Sequence, residues 1–177
     1  RSFFGPWAFW SGEDAAPIQS ALDPLTDFVI LVSAGKKAVS SSQAHLRVRT
    51  SPLWQGRPER ANARAAHARQ TVETGDFSAL AAVAWAELWE MHSLFHTASE
   101  PFSYWEMGTI EVLGAIQRQA LHTRSIVTMD AGPNVHVLVR TAEVESWRAK
   151  LSAILPGFEF LESAAGSGPR FQWSASV

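Results

Sequence analysis

The stretch from Ser125 to Arg140 constrains the fold of this chain more than any other. Ser125–Met129 is an apolar, β-branched run, and Val135–Arg140 alternates valines with His136 and Leu138. Side chains on a strand point to opposite faces in turn, so Val135, Val137 and Val139 share one face while His136 and Leu138 share the other. Only Asp130-Ala131-Gly132-Pro133-Asn134 separates the two runs, a loop rich in turn formers. It joins neighbouring strands, and an antiparallel sheet follows.

A further strand is expected at Phe28–Val32, bounded by Asp27 and Gly35, with shorter ones at Phe158–Leu161 and Phe171–Trp173 around the turn Gly166-Ser167-Gly168-Pro169. Helical spacing is clearest where Phe77, Leu80, Ala84, Leu88, Met91 and Phe95 recur at steps of three or four behind the N-cap candidate Asp76. An alanine-rich helix from Pro58 to about Thr74, stopped by Gly75, precedes it and pairs with it antiparallel. A third helix from about Tyr104 to Leu121 is expected to bury Met107, Ile110 and Leu113. A fourth, capped by Thr141, is expected to bury Val144, Trp147, Leu151 and Ile154 and to end at Pro156-Gly157. The fold class that results is α+β, an antiparallel sheet with helices packed on one face.

At 177 residues, 46% hydrophobic and 18% charged, the chain has the size and composition of one globular unit. It has no cysteine, which excludes disulfides, thiolate metal sites and a cysteine nucleophile and suits a reducing cytoplasmic setting. A net charge of -2 argues against nucleic-acid binding. The arginines between Arg47 and Arg69 are interleaved with alanines, which reads as a solvated helix face. No apolar run approaches the roughly 20 residues of a membrane span. The opening Phe3-Phe4-Gly5-Pro6-Trp7-Ala8-Phe9-Trp10 is too broken for a signal sequence and reads as core, and a chain that starts at Arg1 reads as part of something longer.

Asp130 is the foremost candidate for chemistry, since a carboxylate at a strand end beside a tight turn is held in place. The same position also suits an Asx turn, in which the side chain merely bonds nearby backbone amides. His92 and His96 lie one helical turn apart, a metal-compatible spacing, but no glutamate or third ligand accompanies them and a structural pair is the better reading. Gly166-Ser167-Gly168-Pro169 lacks the lysine and helix of a phosphate-binding loop.

The run Thr128-Met129-Asp130-Ala131-Gly132-Pro133-Asn134-Val135 resembles, nearly letter for letter, the signature loop of diphosphomevalonate decarboxylases of the GHMP kinase superfamily. Other stretches follow that family's order. Lys37-Ala38-Val39-Ser40-Ser41-Ser42-Gln43 is similar to its Val-Ser-Ser segment, Met91-His92 and Pro101-Phe102-Ser103-Tyr104 to its Met-His and Pro-Pro-x-x-Tyr stretch, and Arg1-Ser2-Phe3-Phe4-Gly5 to the end of its Ser-x-Ser-x-x-Arg-Ser motif. Departures are Glu100 for a proline, Ala44-His45 for Gly-Met, and Phe9-Trp10 for Glu-Trp.

The resemblance implies the C-terminal domain of a two-domain, GHMP-type fold, with residues 1–26 a lead-in from an N-terminal domain and residues 27–177 the C-terminal domain. The nucleotide loop would lie in that N-terminal half, which becomes the expected partner, and a homodimer is expected. The implied reaction uses ATP and Mg2+ to phosphorylate the tertiary hydroxyl of 5-diphosphomevalonate, and loss of phosphate and carbon dioxide then gives isopentenyl diphosphate. By the same resemblance Asp130 would orient that hydroxyl or accept its proton, and Arg1 would bind the substrate carboxylate. Ser41 would sit near phosphate, while Ser40 and Ser42 are either beside it or helix N-caps. Alternatives within the superfamily are a phosphomevalonate decarboxylase or a mevalonate 3-kinase; outside it, an inactive domain that serves binding or assembly.

Overall fold

The computed structural model describes residues 5, 7–11, 14–35 and 39–166. Arg1, Lys37, Ala38 and the expected strand Phe171–Trp173 lie outside them, as does most of the turn from Gly166 to Pro169. In chain order the described elements are β1 (Ala8–Ser11), β2 (Asp14–Pro17), β3 (Leu25–Leu31), α1 (Ser41–Arg47), α2 (Arg57–Thr74), α3 (Phe77–His96), α4 (Met107–Arg118), β4 (Ile126–Thr128), β5 (Val135–Arg140), α5 (Val144–Ile154) and β6 (Glu159–Ala164), with short 3-10 turns between some of them.

β3 to β6 form one antiparallel sheet in the order β4-β5-β3-β6, while β1 and β2 make a separate hairpin. The connections from β3 to β4 and from β5 to β6 both carry helices and both skip a strand, so the chain order is that of a split β-α-β motif. The valine alternation works as expected: Val135, Val137 and Val139 are fully buried, together with Phe28 and Ile30 on β3. They face Val112, Leu113 and Ile116 of α4 and Trp147, Leu151 and Leu155 of and after α5 in one core, which places those helices on one face of the sheet. Gly108 permits the close approach of α4, since a Cβ there would lie 2.9 Å from Val32 Cγ1. Among the described residues no helix is long and apolar enough to cross a membrane.

The structure corrects four local expectations. The helix expected over 104–121 is confined to Met107–Arg118, and its buried stripe is Thr109, Val112, Leu113, Ala115 and Ile116. Met107 and Ile110 lie on the outside, 82% and 55% exposed. Thr141 does not cap α5: its amide donates to the Pro24 carbonyl and its hydroxyl pairs with Thr26, so a 3-10 turn intervenes before Val144. The arginine-rich α2 is not simply solvated. Arg57, Arg60 and Arg64 converge on Glu87 and Glu90 of α3, with Arg57 Nη1 and Arg64 Nη1 each 2.9 Å from Glu87 Oε2 and Arg60 Nε 2.7 Å from Glu90 Oε1. In the lead-in, Trp7 packs against a second core of Leu25, Val72, Phe77, Leu80, Ala81 and Ile126, as expected, whereas Trp10 is 56% exposed.

The α2–α3 turn rests on Gly75, whose φ of 76° closes α2 while its amide donates to Thr71. A Cβ at this position would lie 2.8 Å from the Ala21 carbonyl oxygen, so strain and collision add. Gly75→Ala is expected to lower unfolding free energy by about 2 kcal/mol, read as a shift of the urea midpoint at unchanged slope.

Candidate active site

Two chain segments meet at one end of the sheet because of register. Ile30 at the exit of β3 pairs with Val135 at the entry of β5. The segment that leaves β3 toward α1 and the loop from Asp130 to Asn134 that enters β5 therefore emerge side by side. Asn134 ties them together: its Oδ1 accepts from the amides of Val32 at 2.9 Å and Ser33 at 3.1 Å. The loop is held a second time by α4, where Thr109 Oγ1 donates to the Pro133 carbonyl at 2.8 Å. A tight backbone bond from the Gly132 amide to the Asp130 carbonyl, 2.8 Å, completes the turn.

The Asp130 carboxylate takes no part in these bonds. It is exposed, and among the described residues it accepts no hydrogen bond. A turn-forming aspartate would use its side chain on nearby amides, and no such bond is made among the described residues. Here Asn134 and Thr109 hold the loop and leave the acid free. It opens onto a pocket of about 560 Å³ lined by Ser41, Ala44 and His45 of α1, by Val48, Trp54, Arg57, Met91, Leu94 and Phe95, and by Asp130 and Ala131. Asp130 and Ser41, both singled out in the sequence, are thus brought to one cavity. Ser40 is the N-cap of α1: its hydroxyl accepts from the Gln43 amide at 3.3 Å while Gln43 Oε1 accepts from the Ser40 amide at 3.3 Å. That leaves the Ser41 side chain, at the first helical position, exposed on the pocket wall.

A larger cleft of about 820 Å³ lies elsewhere, lined by Trp7, Ile18, Leu22, Leu25, Asp27, Leu138 and Ser163 among others. Its walls are mainly aliphatic and neither Ser41 nor Asp130 reaches it, so the smaller pocket is the better candidate for polar chemistry.

Sequence reasoning missed two features near Asp130. Arg57, 8% exposed, forms part of the pocket wall, but Glu87 and Glu90 already engage its guanidinium. His136 lies on the sheet face away from the α4–α5 core, paired in register with Thr128 just before the loop, with Nδ1 2.7 Å from Asp27 Oδ2. That hydrogen bond raises the His136 pKa against the opposing effect of burial, and the charges of Asp27 and Asp130 raise it further. A histidine two residues after a turn asparagine gave no signal of this pairing, because Asp27 is remote in sequence.

His92 and His96 do not reach the pocket. His92 is fully buried, edge-on to Phe95 with centroids 5.1 Å apart and tilted against Trp105 at 5.3 Å, and among the described residues neither ring nitrogen has a hydrogen-bond partner. His96 Nε2 lies 3.3 Å from Ser103 Oγ. Among the described residues no three histidine, cysteine or acidic side chains gather as metal ligands. Arg1 lies outside the described residues.

Known proteins share both sequence and shape with this chain. The family profile described as mevalonate 5-diphosphate decarboxylase C-terminal domain matches residues 28–172. A mevalonate diphosphate decarboxylase from Legionella pneumophila is 36% identical, with a TM-score of 0.81 over 91% of this chain and 52% of its own. The enzyme from Enterococcus faecalis, described by a mevalonate diphosphate mediated ATP binding mechanism, is 26% identical, with a TM-score of 0.75 over 87% of this chain and 47% of its own. A structure described as MDDEF in complex with MVAPP, AMPPCP and magnesium is 28% identical, with a TM-score of 0.77 over 87% of this chain and 48% of its own. No curated protein sequence matches. The chain therefore spans about half the length of the solved relatives. With the family profile across most of its length and the signature loop at the mouth of its pocket, the chain belongs to the mevalonate 5-diphosphate decarboxylase C-terminal domain family.

Proposed function

We propose that this chain supplies the acid-bearing half of an ATP-dependent decarboxylase that converts 5-diphosphomevalonate to isopentenyl diphosphate. The observation that carries the proposal is the Asp130 carboxylate, held on a doubly anchored loop, without a hydrogen bond among the described residues and lining the same pocket as Ser41. Relatives solved with MVAPP, AMPPCP and magnesium support the choice of substrate class and of ATP with Mg2+. Among the described residues Asp130 is the sole acid of the pocket and no metal-binding cluster exists, so this chain's part of the site does not by itself fit Mg2+ or a nucleotide. Those groups belong to the N-terminal half, the expected partner, in a cytoplasmic homodimer.

What this chain's residues do follows from their chemistry. A tertiary hydroxyl is a poor leaving group until phosphorylated, and ATP with its metal supplies the phosphoryl group. Asp130 orients the hydroxyl and accepts its proton as the oxygen attacks, and the exposed Ser41 hydroxyl contacts an anionic oxygen of the substrate. Departure of phosphate then builds positive charge, which the neighbouring carboxylate of the substrate relieves as carbon dioxide leaves. Arg1 holds that carboxylate through a planar pair of donors.

The test is product analysis. The 177-residue chain alone is expected to form no isopentenyl diphosphate, and the intact enzyme to form it from 5-diphosphomevalonate with ATP and Mg2+. Turnover by the isolated chain would contradict the division of labour. Preference of the intact enzyme for the monophosphate, or for mevalonate without decarboxylation, would move the assignment to a phosphomevalonate decarboxylase or a mevalonate 3-kinase.

A further inference from the structure

The segments that bring Ser41 and Asp130 to the pocket are both bonded by one short segment that lies outside it. Tyr104, 6% exposed, donates its hydroxyl to the Val39 carbonyl at 3.0 Å. Val39 immediately precedes the Ser40 cap and the Ser41 side chain, so this bond fixes where α1 begins. Thr109, fully buried in the first turn of α4, uses its single hydroxyl twice. It accepts from the Glu106 amide at 3.1 Å, which caps the helix, and it donates to Pro133 at 2.8 Å, within the loop that carries Asp130.

Neither anchor is loose. Tyr104 is packed edge-on against Phe95 and Phe102, with centroids 5.3 and 5.5 Å away, and α4 is locked to the sheet through Val112, Leu113 and Ile116. Proline has no amide to donate, so the Pro133 carbonyl is the group through which α4 can hold that part of the loop. We propose that Tyr104 and Thr109 are positioning residues that act as a clamp and set the distance between Ser41 and Asp130. Tyr104 acts through Val39 on the Ser41 wall, and Thr109 acts through Pro133 on the acid. The inference rests on the reading of Asp130 as the acid and Ser41 as a substrate contact.

Placement errors of about 1 Å are enough to cost a large factor in rate, so each clamp bond should be visible in kinetics. The experiment uses the intact enzyme with Thr109→Val, Thr109→Ser and Tyr104→Phe, with Asp130→Asn as control, each assayed for kcat, KM and melting temperature. Thr109→Val keeps shape but loses both the donor to Pro133 and the acceptor for the Glu106 amide, and is expected to lower kcat about tenfold with KM within about twofold. Thr109→Ser restores the hydroxyl and is expected to recover most of the loss. Tyr104→Phe is expected to raise KM about fivefold and to change kcat by less than about threefold, because it acts on the substrate-contact wall.

Equal losses in kcat and KM in both variants, or wild-type kinetics in both while Asp130→Asn is inactive, would overturn the clamp and leave the proposed reaction standing. An active Asp130→Asn would overturn the reading of Asp130 as the acid. Tyr104→Phe removes one oxygen atom and remains decisive should Thr109→Val fail to fold.

Discussion

Acidification from pH 7 to pH 4 is expected to remove roughly 3 kcal/mol of folding stability through one residue, His92. Burial first, and then the neighbouring charge of His96, lowers the His92 pKa from 6.5 to about 4. The unfolded chain therefore binds a proton on this side chain at a pH where the folded chain does not. Between 6.5 and about 4 the unfolded state carries more protons, so stability rises with pH across that window and is lost as pH falls through it. The contribution is fully present above 6.5, and below about 4 the loss is complete. The physical origin is a buried imidazole packed on Phe95 and Trp105 with, among the described residues, no partner on either nitrogen.

His92→Leu replaces a buried unpaired polar ring by an apolar side chain and is expected to flatten the acid limb. Urea unfolding at several pH values from 7 to 4.5 provides the comparison. Parallel profiles for the two proteins would show that His92 is not the residue that titrates. The His136–Asp27 pair works with the opposite sign. Its raised pKa contributes stability that is fully present below 6.5 and is lost as pH rises through the folded value.

The parts of the fold that could be read from sequence are those where one local signal dominates. Val135–Arg140 was legible because its valines alternate without interruption and every one of them meets the core. Asp76 was legible as a helix cap because its carboxylate needs only the Ala79 amide three residues on. α4 was misread in phase because Met107-Ile110-Leu113 and Thr109-Val112-Leu113-Ile116 both have helical spacing and share Leu113. The true stripe opens on a threonine whose hydroxyl is spoken for by Pro133, a partner no periodicity reveals. Thr141 has the chemistry of a cap, but Pro24 and Thr26 across the sheet compete for it and win. The arginines of α2 were indistinguishable from a solvated face until Glu87 and Glu90 of α3 came alongside. Asp130 and Ser41 could be named from the signature loop and the serine run, whereas the segment that holds them, Tyr104 to Thr109, could be found only through its carbonyl contacts.

The largest effect expected of any single substitution is at Asp130. Asparagine has nearly the same shape, and the loop is held by Asn134 and Thr109 rather than by the acid, so Asp130→Asn should keep the fold. It should also keep substrate affinity, because the side chain still fits the pocket and can still hydrogen-bond the hydroxyl. What is lost is the capacity to accept a proton and the negative charge beside the attacking oxygen, and removal of a general base lowers rate by roughly a hundredfold or more. The loss should fall on kcat with substrate Kd little changed. The decisive measurement is steady-state kinetics of the intact wild-type and Asp130→Asn enzymes, paired with thermal melting and substrate titration. A fall in kcat of about a hundredfold or more at unchanged melting temperature is the result predicted, whereas retention of more than about a third of the wild-type kcat would show that Asp130 is only part of a turn.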